Sequence, residues 1–126
     1  MVEDMMMRRA ERGEYVIPIL LHDTRSHVVA KAVILDLSAK GLRCFSNDRR
    51  VMLMSEEMLR QKTFRLEFDF FGLDTTGLEG RVVHIRAGKH PRYERQMGIA
   101  FEKISYQIAR DINRAILAVS SGQTKG

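Results

Sequence analysis

Two clusters of residues in this 126-residue chain have the types and spacing of a ligand site. The first is Arg8-Arg9-Ala10-Glu11-Arg12, in which three guanidinium groups fall within five residues. A guanidinium group presents a planar fork of donors that can grip a phosphate, or the Hoogsteen edge of guanine, with two hydrogen bonds. The use of Arg at all three positions therefore favours nucleotide recognition, and a solvated basic tail is the alternative interpretation.

The second cluster is the hexapeptide Asp36-Leu37-Ser38-Ala39-Lys40-Gly41. Each residue type in it suits a tight turn, in which Asp and Ser bond nearby backbone amides and Gly takes a positive φ. The hexapeptide also suits a ligand site, because Asp36 and Ser38 are two residues apart on a strand and point the same way. Together they can offer a carboxylate and a hydroxyl to one ligand, such as the Watson–Crick edge of guanine. Both interpretations stay open at this point.

The residues that catalysis or a metal centre would require are missing from the sequence. It contains no HExxH pair, no GxSxG elbow around Ser38 and no glycine-rich phosphate loop. Cys44 stands beside Phe45 in an apolar segment, which indicates a small buried hydrophobe rather than a nucleophile. The histidines are scattered over predicted strands and turns: His22, His27, His84 and His90. The sequence therefore predicts a binding protein without catalytic residues, metal or cofactor.

Short β-strands must position these clusters. The clearest one alternates Phe64, Leu66, Phe68 and Phe70 with charged residues, so that one face is dry and the other charged. Turn-forming residues separate the segments, which is typical of an antiparallel sandwich or a small barrel. The last two strands look like a hairpin. The predicted strands are 15–21, 28–37, 42–45, 64–70, 78–86 and 93–103.

The C-terminal segment changes to a helical period. Ile108, Ile112, Ile116 and Val119 form one apolar stripe, and Ser105 is placed to cap a helix over 105–120. Such a stripe must be buried, and the end or side of a barrel offers the apolar surface for it. A shorter helical turn is predicted at 55–61.

Composition and charge set the context of this fold. The chain carries a formal charge of +5 and a pI near 9.7, which favours an anionic partner. We predict a flexible arm at 1–13, a single domain at 14–120 and a tail at 121–126. The start has no apolar stretch typical of a signal peptide or membrane span, and a single cysteine suits a reducing compartment, so we predict a cytoplasmic protein without membrane insertion.

Taken together, the two clusters resemble the PilZ domain, a bacterial receptor module for cyclic di-GMP. Arg8 and Arg12 match its RxxxR motif, and Asp36, Ser38 and Gly41 match its DxSxxG motif. One departure is Gly13-Glu14, where an apolar residue is more usual. The similarity extends along nearly the whole chain through Pro18, the stretch Gly98-Ile99-Ala100-Phe101 and the final helix.

The resemblance implies a six-stranded antiparallel β-barrel packed against one amphipathic C-terminal helix. It also implies that the arginine arm wraps over cyclic di-GMP lying on the barrel surface. Arg8 and Arg12 would grip guanine and phosphate, Arg9 would add a contact, and Asp36 and Ser38 would contact guanine. Gly41 would leave room for close backbone approach.

The function that follows is a cyclic di-GMP receptor that orders its arm around the dinucleotide and signals to a downstream protein partner. One alternative is a small basic barrel that binds nucleic acid; against it, Phe64, Phe68 and Phe70 alternate as core residues would, and Trp is absent. Another alternative is a PilZ-fold protein-interaction adaptor, which would have no need of Asp36 or Ser38.

Overall fold

The computed structural model describes residues 17–87 and 94–120, and the side chains of 119 and 120 are not among the features described. The predicted arm at 1–13, with Arg8, Arg9 and Arg12, lies outside the described residues. So does the predicted tail at 121–126.

Six antiparallel strands close into a barrel in the order β1-β2-β3-β6-β5-β4. This architecture, with a helix after the last strand, confirms the predicted fold class. The strands are β1 (Ile17–Asp23), β2 (Val29–Leu37), β3 (Gly41–Ser46), β4 (Thr63–Phe68), β5 (Glu79–Ala87) and β6 (Arg95–Lys103).

The alternation in β4 builds one wall of the core. Phe64, Leu66 and Phe68 are buried, whereas Arg65 and Glu67 are exposed. The strand ends at Phe68 rather than at Phe70 as predicted. The reason is that the chain turns sharply just beyond, where Phe71 and Gly72 both take positive φ values.

Pro18 lies near the start of β1, as its missing amide requires. It pairs with Val33 of β2, but the pairing of β1 with β4 begins only at Ile19. The barrel therefore closes without needing a hydrogen bond from Pro18 on the β4 side.

The seam between β4 and β5 is short. Residues 63–65 of β4 pair with 79–81 of β5, so the second half of β5 runs beyond β4. There the Arg60 Nη1 donates a hydrogen bond of 3.2 Å to the carbonyl oxygen of Val83.

The pairing of the described strands shifts register at three places, one of them between Glu79 and Gly80 at the start of β5. The other two are β-bulges in β2 and β5. In β2 the register with β3 shifts between Ile34 and Asp36, which leaves Leu35 as the extra residue. In β5 the register with β6 shifts between Val82 and His84, which leaves Val83 as the extra residue. A bulge of this kind moves the following side chain to the opposite face of the strand.

In the part of the chain that the structure describes, three helices accompany the barrel: α1 (Arg49–Met52), α2 (Glu56–Arg60) and α3 (Tyr106–Ser120). The predicted cap of α2 is confirmed, because Ser55 Oγ accepts a hydrogen bond of 3.1 Å from the Met58 amide. The sequence pattern did not predict α1, a single turn capped by the Asp48 carboxylate.

The helix α3 packs on the barrel as predicted. Ser105 Oγ accepts from the Ile108 amide at 3.1 Å, and Ile108 and Ile112 belong to the main core, with Ile116 packed against it. None of the described helices combines the length and apolar character needed to cross a membrane.

Candidate functional site

The Asp36 carboxylate stands on the outside of the barrel. Its side chain is 66% exposed, although Ala32 and Ile34, at the same parity along β2, are buried. The bulge at Leu35 accounts for this, since strict alternation would have turned Asp36 into the core. Arg43, its register partner on β3, holds Oδ2 in an ion pair of 2.5 Å. Among the described residues, nothing bonds to Asp36 Oδ1.

Ser38 serves the turn between β2 and β3. Its amide donates to the Gly41 carbonyl oxygen at 2.9 Å, and its Oγ accepts from the Lys40 amide at 3.2 Å. The hydroxyl also lies 3.3 Å from the same carbonyl oxygen, to which it donates. The turn interpretation of this residue is therefore right, and the side chain remains exposed beside Asp36.

Gly41 differs from the expectation of a positive φ. The described glycines with positive φ are Gly72 and Gly77, so the backbone of Gly41 does not need the left-handed region. Instead, a Cβ at this position would lie 2.3 Å from the carbonyl oxygen of Ile99 on β6. Glycine is needed here because β3 and β6 approach closely.

An open groove of about 360 Å³ gathers the three residues of the second cluster. Asp36, Ser38 and Gly41 line it together with Lys40 and Arg43. The structure therefore places these predicted site residues around one surface depression. The other predicted site residues, Arg8, Arg9 and Arg12, lie outside the described residues.

Cys44 on β3 is fully buried in the barrel interior. Burial raises the pKa of its thiol to about 12, so the thiolate needed for nucleophilic chemistry is suppressed at neutral pH. Within 17–87 and 94–120, no group of three or more His, Cys, Asp or Glu side chains could hold a metal ion.

Comparison with known proteins decides the family. The model of the PilZ domain family matches residues 7–118 of this chain. The chain belongs to the PilZ family. The matched range begins one residue before Arg8 and contains every residue of both motifs.

A solved PilZ domain has the same fold. The PilZ domain with c-di-GMP of YcgR from Escherichia coli superposes with a TM-score of 0.62, covering 86% of each chain at 11% sequence identity. At this identity the likeness establishes the fold alone. Comparison with curated proteins finds no match.

In this PilZ domain, the groove residues belong to a row that crosses four strands. Asp36 on β2 pairs with Arg43 on β3, Arg43 pairs with Gly98 on β6, and Gly98 pairs with His84 on β5. The groove lining accordingly includes Gly98 and His84. Sequence reasoning missed His84 because strict alternation from the buried Val82 would have placed it in the core.

Proposed function

We propose that this PilZ domain is a receptor for cyclic di-GMP. The observation that carries the proposal is the exposed Asp36 carboxylate at the groove, with Oδ2 held by Arg43 and Oδ1 free of described partners. An oriented carboxylate of this kind can accept hydrogen bonds from the N–H groups on the Watson–Crick edge of guanine. The choice of dinucleotide is supported by the two retained motifs and by the c-di-GMP named with the YcgR domain.

The polar residues of both motifs each have a role in this proposal. Asp36 accepts from guanine through Oδ1, while the ion pair with Arg43 fixes the plane of the carboxylate. The Ser38 hydroxyl is exposed beside it and retains acceptor capacity. Arg8 and Arg12 grip guanine and phosphate from the N-terminal side, with Arg9 as a further contact.

The response to the ligand is an ordering of the arm at 1–13. Charge-assisted hydrogen bonds from Arg offset the entropy lost when the arm is fixed around the dinucleotide. The reorganised surface then binds a downstream protein partner in the cytoplasm. In this proposal the domain is a receptor and not an enzyme.

The aromatic residues of β4 weigh against the nucleic-acid alternative. Phe64 and Phe68 are 1% and 6% exposed, so these rings fill the core instead of offering a stacking surface to bases.

Calorimetric titration with cyclic di-GMP tests the proposal, with cyclic di-AMP, GMP and single-stranded DNA as comparison ligands. We expect saturable binding to cyclic di-GMP alone among them. Saturable binding to DNA without binding to cyclic di-GMP would favour the nucleic-acid alternative, and no binding to any nucleotide would favour the adaptor.

The role of the arm is tested with Arg8→Ala and Arg12→Ala. Removing one partner of a charged hydrogen-bonded pair costs about 2–5 kcal/mol, or roughly thirtyfold to several thousandfold in affinity. The matched control is Arg65→Ala, which removes an exposed arginine from β4, outside the groove. Affinity near that of the wild type in both arm variants would refute the arm model.

A further inference from the structure

We propose that the ligand site continues across β6 onto β5, where His84 and Arg86 bind the second guanine and phosphate of cyclic di-GMP. This inference rests on the proposed function. It assigns a second half of the site to residues outside both sequence motifs.

The size of the groove is the first argument. At about 360 Å³ it lies near the lower end of the roughly 300–1,000 Å³ found for pockets of drug-sized ligands. A dinucleotide with two purines and two phosphates needs a larger volume than this groove offers. A second open cavity of about 540 Å³ adjoins the groove and shares Arg43, His84 and Gly98 with it.

The chemistry of this second cavity suits an anionic purine nucleotide. It is lined by the charged or ionisable groups of Arg43, His84 and Arg86 and by the Gln96 amide, and no carboxylate is among its described lining residues. Of these groups, Arg43 is held by Asp36. The Arg86 side chain is exposed and forms no ion pair with a residue of 17–87 or 94–120, and a guanidinium group can bind a phosphate with two hydrogen bonds.

The imidazole ring of His84 is positioned to stack on a base. A Cβ on Gly98 would lie 3.2 Å from His84 Cβ and 3.5 Å from Cδ2, so the ring lies against the bare backbone of β6. The residue is nevertheless exposed. A ring supported on one side and accessible on the other can stack on a purine.

The two bulges distinguish this arrangement from ordinary charges on a strand surface. Each bulge comes immediately before one end of the row, at Leu35 before Asp36 and at Val83 before His84. Beyond the second bulge, Ile85 packs against the core, so that His84 and Arg86 share the outer face. Both ends of the row therefore depend on irregularities of the kind that re-aim side chains at functional sites.

The test is calorimetric titration of His84→Ala, His84→Phe and Arg86→Ala with cyclic di-GMP, beside the wild type and the control Arg65→Ala. We expect His84→Ala to lose about fivefold to 100-fold in affinity, as for the loss of one base-stacking side chain, and His84→Phe to retain most of it. Arg86→Ala should lose at least about fivefold and show a weaker dependence of affinity on salt, because a phosphate contact is lost.

Thermal unfolding of each variant checks that these exposed substitutions leave the barrel folded. If the wild type binds, wild-type affinity in either folded alanine variant overturns the inference while the proposed function stands. A wild type that fails to bind cyclic di-GMP overturns both.

Discussion

At the scale of single residues, the proposed function gives the hexapeptide 36–41 two tasks, ligand recognition by Asp36 and backbone packing by Gly41. The Asp36 side chain bonds to the rest of the described protein through one exposed ion pair. Such pairs contribute about 0–1 kcal/mol to the free energy of unfolding. Gly41, by contrast, lies against the backbone of β6. Two positions of one motif should therefore respond very differently to substitution.

We predict that Asp36→Asn lowers the affinity for cyclic di-GMP by at least about tenfold while the melting temperature changes little. The amide keeps the shape of the side chain but replaces one acceptor oxygen by a donor and removes the charge. Calorimetry and thermal unfolding of the same preparation measure both effects. A lower melting temperature with unchanged affinity would show that Asp36 serves the turn alone.

We predict that Gly41→Ala destabilises the fold by about 1–3 kcal/mol or more, with or without ligand. The added methyl group would lie 2.3 Å from the Ile99 carbonyl oxygen, so the β3–β6 pairing must shift to admit it. Urea unfolding measures the loss, and Ala39→Gly, in the adjacent turn, is the companion control. A Gly41→Ala protein as stable as the wild type would mean that the two strands can separate at no cost.

At the scale of elements, α3 stabilises the barrel through one face. We predict that Ile112→Ala lowers the free energy of unfolding by about 2–5 kcal/mol, because this fully buried side chain would leave a cavity. The matched control is Leu117→Ala on the same helix, which should stay within about 0.5 kcal/mol since Leu117 is 68% exposed. Equal losses in the two variants would argue against the packing described for α3.

The elements also show where sequence reasoning succeeds and where it stops. Alternation in β4 and the stripe of α3 predict these elements well, because periodic burial determines both the pattern and the structure. A bulge breaks the period without a signal of its own, so His84 could not be recognised as an outward residue. The same holds for Gly41, whose requirement comes from a strand distant in sequence.

At the scale of the whole molecule, an ion pair between a buried carboxylate and a partly exposed lysine joins the end of β1 to the residue before β4. Lys62 Nζ donates to Asp23 Oδ2 at 2.6 Å, and the Asp23 side chain is 2% exposed. Burial pushes the pKa of the Asp23 carboxyl up, but hydrogen bonds from Lys62 and from the Arg25 amide outweigh burial and hold the pKa below its ordinary value.

This lowered pKa predicts a sensitivity to acid. Because the folded pKa lies below the unfolded value of about 3.9, the stabilising contribution is complete above that pH and is lost as the pH falls through the folded pKa. We expect Asp23→Asn to be less stable than the wild type near pH 7 by about 1–3 kcal/mol, and to lose less further stability below about pH 4.

Urea unfolding from about pH 7 to about pH 2.5 measures this difference. Asp36→Asn is the control, because it removes an exposed carboxylate instead of a buried one. An Asp23→Asn protein whose stability falls with acid as steeply as that of the wild type would contradict the assignment.

The short seam between β4 and β5 has a consequence for the timescale of local motion. Beyond residue 81, the amides of β5 that face away from β6 have no partner on β4. On this side of β5, Arg60 donates a hydrogen bond to the Val83 carbonyl oxygen, where a neighbouring strand would otherwise pair. Segments held from one side open with a small fraction of the global unfolding free energy. Hydrogen–deuterium exchange should therefore be fastest within the barrel along the second half of β5, and a dinucleotide seated there would slow exchange in a segment far along the chain from the arginine arm.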